Sequence, residues 1–202
     1  ADLDLSGSSS NTTLVPDANI VLGGSGASRT VTVTPASNQN GSATITLTVG
    51  DGTASTTDTF VLTVNAVNDA PTISDVSNLS TNEDTATSAL AVTLGDVETA
   101  VADLELSGSS SNTTLVPDAN IVLGGSGANR TVTVTPASNQ NGSATITLTV
   151  SDGAASTTDT FVLTVNAVND APTISNVTNQ QTNEDTATSA LAVTLGDVET
   201  AV

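Results

Sequence analysis

The chain has 202 residues, with no Cys, His, Met, Trp or Tyr and only two basic side chains, Arg29 and Arg130, against 21 acidic ones, for a formal net charge of −19. This excludes a disulfide framework and thiolate chemistry, and it leaves only carboxylates and hydroxyls for acid–base or nucleophilic work. A surface so acidic repels nucleic acid and anionic membranes, whose capture needs Lys and Arg.

No apolar run approaches the ~18 residues of a membrane span, so no direct membrane insertion is expected. With no initiator Met and no signal peptide, the chain reads as a window cut from a longer protein. Abundant Ser, Thr, Asn and Gly without Cys suits an extracellular β-protein that does not depend on redox state.

Ala1-Asp2-Leu3 returns as Ala102-Asp103-Leu104, a repeat of 101 residues that fills the chain twice. The copies differ mildly, at Asp4/Glu105, Ser28/Asn129, Gly50/Ser151, Thr53/Ala154, Asp75/Asn176, Ser77/Thr178, Leu79/Gln180 and Ser80/Gln181. That length suits an immunoglobulin-like sandwich rather than a solenoid unit. Asn65-Ala66-Val67-Asn68-Asp69-Ala70-Pro71-Thr72, repeated as Asn166 to Thr173, sits between alternating apolar runs and marks a joint. In that frame residues 70–170 form a complete domain, residues 1–69 a domain lacking its N-terminal strands, and residues 171–202 the first strands of a further domain. Two arrangements fit: an arbitrary window, or chains in which the tail of one completes the head of the next by strand addition.

Through the complete domain, Pro71–Ser74 is a short extended start, and Asn82-Glu83-Asp84-Thr85 is acidic and turn-like. Ser88–Leu94 alternates as a strand and Gly95-Asp96-Val97-Glu98 breaks it. Asp103-Leu104-Glu105-Leu106 alternates with acids out and leucines in, and Ser107–Asn112 reads as a polar loop. Leu115–Leu123 is an interrupted strand region, Gly124-Gly125-Ser126-Gly127 a turn, and Arg130–Thr135 a strand with valines on one face. Asn141-Gly142 signals a hairpin, Ser143–Val150 alternates, Asp152-Gly153 turns the chain, and Thr160–Val165 is the last strand. About seven strands at 8–12-residue spacing, with no helical period, predict an all-β Greek-key sandwich. Its core is aliphatic, with Phe60 and Phe161 the only aromatics.

Loops of such a sandwich gather at its two ends. Up-and-down strand order puts the turns at Asp96-Glu98 and Asp152 on the end that faces Asn68-Asp69. The same set recurs as Asn169, Asp170, Asp197 and Glu199, while Glu83, with its copy Glu184, lies where the first strand serves either end. Carboxylates with Asn and carbonyl oxygens, without His or Cys, make a hard oxygen set of the kind Ca²⁺ takes six to eight of. Without a cation the carboxylates would repel one another.

Val67-Asn68-Asp69-Ala70-Pro71, Asn82-Glu83-Asp84-Thr85, Asp96-Val97-Glu98 and Ser151-Asp152-Gly153 resemble the bacterial cadherin-like or Ig-like tandem repeats of giant RTX-type surface adhesins. The resemblance spans essentially the whole repeat. It implies Ca²⁺ at the joints of a stalk, with Asn68 and Asp69 matching linker ligands, Asp96 and Glu98 the acidic turn of the following domain, Asp152 the Asp-Gly turn and Glu83 the first-strand glutamate. Ala66 and Ala70 replace linker residues that cadherins use, and Ser138-Asn139-Gln140-Asn141 lacks their acidic pair, so fewer ions per joint are implied than in cadherins.

Asn11-Thr12-Thr13, Asn40-Gly41-Ser42 and Asn78-Leu79-Ser80 fit the glycosylation pattern but arise readily in so Ser/Thr/Asn-rich a chain. Arg29 and Arg130 are expected to pair with nearby acids. Paired acids such as Asp96 and Glu98 suit glycoside hydrolysis, but without an aromatic sugar platform, and with a near-identical copy 101 residues on, no enzyme is expected. The expected role is a calcium-stiffened extender whose partners are neighbouring repeats. The alternatives are a filament or sheath subunit assembled from identical chains, and a ligand-binding adhesin module.

Overall fold

Alternation along the strands decides which faces meet, and the pairing follows it. A computed structural model describes residues 3–198, and chain contacts divide the protein into two units, Ala1–Asp69 and Ala70–Val202.

The first unit contains β1 (Asp4–Ser9), β2 (Ile20–Ser25), β3 (Ser28–Val33), β4 (Gly41–Gly50) and β5 (Ser55–Val64). These form a sheet in the order β1-β4-β5 and a two-stranded sheet β2-β3. Its core is Leu14, Val15, Ile20, Ala43 and Ile45, with Leu22, Val31, Val33, Leu47, Leu62 and Val64 only partly covered.

The second unit begins with β6 (Thr72–Ile73), β7 (Leu79–Asn82) and β8 (Leu90–Gly95). It continues through β9 (Glu105–Ser110), β10 (Ile121–Ser126), β11 (Asn129–Val134), β12 (Gly142–Ser151) and β13 (Ser156–Asn166). Two four-stranded sheets result, β10-β11-β8-β6 and β7-β13-β12-β9. β6 and β7 are halves of one split first strand: β6 runs antiparallel to β8, whereas β7 crosses to the other sheet and runs parallel to β13. Side chains hold the crossing, because Asp159 Oδ2 accepts from the Val76 amide at 2.9 Å and Asn78 Oδ1 from the Val162 amide at 2.7 Å.

Between the sheets lie Val92, Leu94, Leu104, Val132, Val134, Ile146, Leu148, Val150, Phe161 and Leu163, buried as the alternation requires. This is the expected Ig-like sandwich. After the joint, β14 (Thr173–Ile174) and β15 (Leu195–Gly196) pair with each other in the register of β6 with β8, and the residues around them are mostly exposed.

Three local expectations are corrected. Ser107–Ser110 is strand rather than loop, paired with β12, where Leu148 faces Gly108. A glycine lets the strand approach Ile121, whose Cγ2 would lie 2.7 Å from any Cβ built at Gly108. Gly124-Gly125-Ser126 extends β10 instead of turning, with Gly125 at φ +79 forming a local distortion beside the Asn129 carbonyl. Leu79–Asn82 is β7, hidden in the sequence because its partner is a parallel strand 84 residues away.

The near-identical repeats form an internal comparison. Phe161 is 1% exposed, and its copy Phe60 is 36% exposed. Phe161→Ala is expected to lower stability by about 3–5 kcal/mol in urea unfolding followed by circular dichroism, and Phe60→Ala by markedly less. Equal losses would show that both cores are equally closed.

Candidate functional site

Each acidic turn is first of all a piece of backbone chemistry. Asp96 directly follows Gly95, the residue paired with Thr72 at the start of β6. Its Oδ1 accepts from the amides of Glu98 (2.9 Å) and Thr99 (2.6 Å), an Asx turn. Its Oδ2 is shielded from solvent and has no hydrogen-bond donor. A carboxylate oxygen in that state carries a desolvation cost that a cation would offset.

Asp152 closes the β12–β13 turn. Its Oδ1 accepts from the amides of Ala154 and Ala155, both at 2.6 Å. Because β13 starts beside this turn and runs parallel to β7 toward Asn166, Asp152 lies at the end of the second unit that also carries Thr72 and Asp96. Glu98 lies exposed in the same turn as Asp96.

Glu83 goes to the opposite end. It is 4% exposed, its carboxylate accepts from the Val168 amide, and its own amide donates to Asn166 O at 2.9 Å. The first-strand glutamate therefore belongs to the joint that leaves its own domain, which settles the choice of ends left open by the sequence. Asp84 beside it adopts φ +58 and accepts from the Asn139 amide at 3.1 Å.

Asn68 and Asp69 end the first unit, both exposed, with Asn68 Nδ2 donating to Asp69 O at 2.9 Å. Asn169 repeats this bond to Asp170 O at 2.7 Å, and Asp170 is half-buried. Asp197 follows Gly196 of β15, as Asp96 follows Gly95, and is half-buried; Glu184 is exposed. Glu199 lies outside the described residues. Among the described residues, no three Asp or Glu side chains are gathered at metal-binding spacing.

The two arginines depart from expectation. Arg130 Nε donates to Gly127 O at 2.9 Å and its Nη2 to Leu104 O at 3.5 Å, while Arg29 Nε donates to Gly26 O at 3.2 Å. The reason is local: each sits three residues after a glycine in the β-hairpin, within reach of that turn's carbonyl before any carboxylate. Sequence reading also missed the structural use of Asp118, which accepts from the Ser110 amide at 2.7 Å, and of buried Thr87, whose Oγ1 accepts from the Val134 amide at 3.0 Å. An Asp or Thr eight or forty-seven residues from its partner leaves no local signal.

One carboxylate is resolved away from its ordinary acidity. In the first unit, Asp51 Oδ1 accepts from Thr53 Oγ1 (2.7 Å) and from the amides of Ala54 and Thr53 (2.8 Å each). The Thr53 hydroxyl, then those amides, lower its pKa from 3.8 to about 2. A depressed carboxylate pKa supports the turn above the unfolded value and stops doing so as pH falls from about 4 toward 2. Thr53→Ala, which reproduces Ala154 of the second copy, is expected to raise the Asp51 pKa, read from its side-chain carbonyl shift in an NMR titration. An unmoved midpoint would remove the hydroxyl as the leading cause.

No curated protein sequence matches the chain significantly. Similar solved structures include titin domains Z1Z2 in complex with telethonin, at 15% identity over 82% of each chain with a TM-score of 0.41. Domains 4 and 5 of the S-layer protein SbsC match at 20% identity over 80% of this chain and 70% of that one, TM-score 0.37. An endo-fucoidan hydrolase of glycoside hydrolase family 107 matches at 21% identity over 81% of this chain but 24% of its own, TM-score 0.37. By sequence, residues 68–166 match the family model described as Bacterial Ig domain, which supports a bacterial Ig-like domain over that stretch.

Proposed function

We propose that this protein is an extender segment of a large extracellular surface adhesin, a tandem of Ig-like sandwiches stiffened by Ca²⁺ at the joints, with no catalytic step. The observation that carries the reading is Asp96 Oδ2, shielded and without a donor, at the end of the domain that carries Thr72. The donor chemistry fits a hard divalent cation: Asp96, Glu98 and Asp152 at the leading end, with Asn68 and Asp69 of the preceding joint, and Glu83 with Asn169 and Asp170 at the trailing end, followed by Asp197 and Glu199. When bound, Ca²⁺ supplies positive charge that lets these oxygens approach one another. The chain's own contribution is to hold Asp96 Oδ1 on two amides, which leaves the second oxygen shielded and without a donor. Near-identical copies favour a mechanical role, since each repeat presents the same surfaces. The match to a bacterial Ig domain and the Cys-free, strongly acidic composition suit a place outside the cell.

Calcium affinity is expected on the order of 10⁻⁴–10⁻³ M, as in other extracellular modules. Melting of the chain in millimolar calcium should occur at higher temperature than in chelator, because an ion that binds only the folded state stabilises it by mass action. Asp96→Asn keeps an oxygen for the two amides but removes the charge, so it should shrink the calcium-induced rise without lowering the melting temperature in chelator. Identical melting with and without calcium would sink the proposal.

A further inference from the structure

The loop that joins β11 to β12 ends in the pair Asn141-Gly142, and the first repeat carries the same pair as Asn40-Gly41. Gly142 is the first residue of β12 and holds φ +133, a conformation that favours glycine. The backbone therefore accounts for the glycine, and its consequence is chemical. With no side chain on Gly142, its amide nitrogen can approach the side-chain carbon of Asn141 unhindered; a Cβ there would meet only Leu115 Cδ2, at 3.9 Å. The start of β12 is also laddered on one side only. Gly142 faces Val165 of β13, whereas the ladder with β9 begins at Ile146. Strand ends of this kind open at small cost.

Asn141 is exposed, and its side-chain amide makes no hydrogen bond among the described residues. Other asparagines of the domain are occupied. Asn78 Oδ1 accepts from the Val162 amide, Asn112 Oδ1 accepts from the Leu115 amide at 3.2 Å, and Asn120 Nδ2 donates to Thr135 O at 3.0 Å. The neighbouring Asp152-Gly153 pair, which could undergo the same ring closure, is tied down. Asp152 Oδ1 is held by the amides of Ala154 and Ala155, and the Gly153 amide donates to Ser151 Oγ at 3.1 Å. Asn141 thus combines a free side-chain amide with an unhindered following nitrogen.

We propose that Asn141-Gly142 is a self-modifying site at which the folded chain converts the Asn141 amide to a carboxylate. The Gly142 nitrogen, its proton lost to hydroxide, attacks Asn141 Cγ. The N–Cγ bond forms, the Cγ–Nδ2 bond breaks, and Nδ2 leaves as ammonia with a proton taken from water. Water then adds to either carbonyl of the cyclic imide and opens the ring, giving aspartate or its isoaspartyl isomer. The sum is amide plus water to carboxylate plus ammonium, with no oxidant and no cofactor. The product adds a negative charge to a chain already at −19. It does so at the end of the domain where Asp84 accepts from the Asn139 amide and Glu83 from the Val168 amide. The isoaspartyl form also lengthens the main chain by a carbon at the first pair of the β12–β13 ladder.

The chemistry needs no ion, so it is tested in chelator. The whole chain is incubated in mildly alkaline buffer, folded or unfolded in guanidinium chloride, and then digested with pepsin in acid, where ring closure is too slow to contribute. The peptide that spans Asn141 should gain the mass difference between an amide and an acid, and its fragmentation should show both aspartyl and isoaspartyl forms. In the folded chain the conversion should run within roughly tenfold of the unfolded rate, the cost of opening a strand end. Asn141→Gln, whose longer side chain closes the ring far less readily, should lose both the mass gain and the matching acidic shift on ion exchange. Asp152 should keep its ordinary aspartyl linkage in the folded chain. An Asn141 peptide that stays unchanged in the folded chain while it converts in guanidinium chloride would overturn the proposal, because the fold would then protect the pair. So would isoaspartyl linkage appearing at Asp152 as fast as at Asn141, since the hydrogen bonds would then not select the site.

Discussion

A β-sheet edge must be paired, covered or exposed, and in this protein that constraint decides how much of each core exists. Leu14, Val15 and Ile45 are buried in the first unit as their copies are in the second, but Val31, Val33, Leu62 and Phe60 stay partly covered or exposed where Val132, Val134, Leu163 and Phe161 are buried. What differs is the presence of β6, β7 and β8, which extend the two sheets sideways beyond β11 and β13. These strands add Val92 and Leu94 to the core and pack Ile73, Leu79 and Leu90 against it. They also widen both sheets, so that Val132, Val134 and Leu163 lose the solvent that their copies Val31, Val33 and Leu62 keep. Hydrophobic burial here is a property of the edge, not of the residue.

The long strands were legible because Val, Ile and Leu alternate with Thr along Ser143–Val150 and Arg130–Thr135, and period two leaves no other assignment. The errors share a cause. Ser107–Ser110 has no apolar alternation because Gly108 sits where a side chain would strike Ile121. β7 is a short polar strand whose only credential is its parallel partner. Gly124-Gly125 imitates a turn because one of its glycines relieves a distortion inside a strand. In each case the decisive contact is distant in sequence.

The acidic positions were legible as a set, and strand direction placed Asp96 and Asp152 at one end of the second unit. What no pattern shows is the division of labour within each carboxylate. Asp152 and Asp51 spend one oxygen on their own turns, and Asp96 does the same while keeping the other in a shielded position. An Asx turn and an ion ligand are therefore not rival readings of one aspartate. The turn fixes the carboxylate's orientation, and orientation is what a ligand set of monodentate oxygens needs. Glu83 shows the converse: buried and bonded to Val168, it ties the first strand to the exit of the same domain.

The parallel pairing of β7 with β13 has a mechanical side. The domain's chain begins at the end that carries Thr72 and departs at the opposite end, at Asn166. Tension applied through the flanking joints pulls β7 one way and β13 the other, along their length. The four facing pairs from Leu79↔Leu163 to Asn82↔Asn166 then bear load in shear, all together, rather than opening one after another as a zipper would. The bonds from Asp159 to Val76, Asn78 to Val162 and Glu83 to Val168 bracket that short ladder at both ends. A domain so arranged resists stretching best along the line between the end that carries Thr72 and the end that carries Asn166.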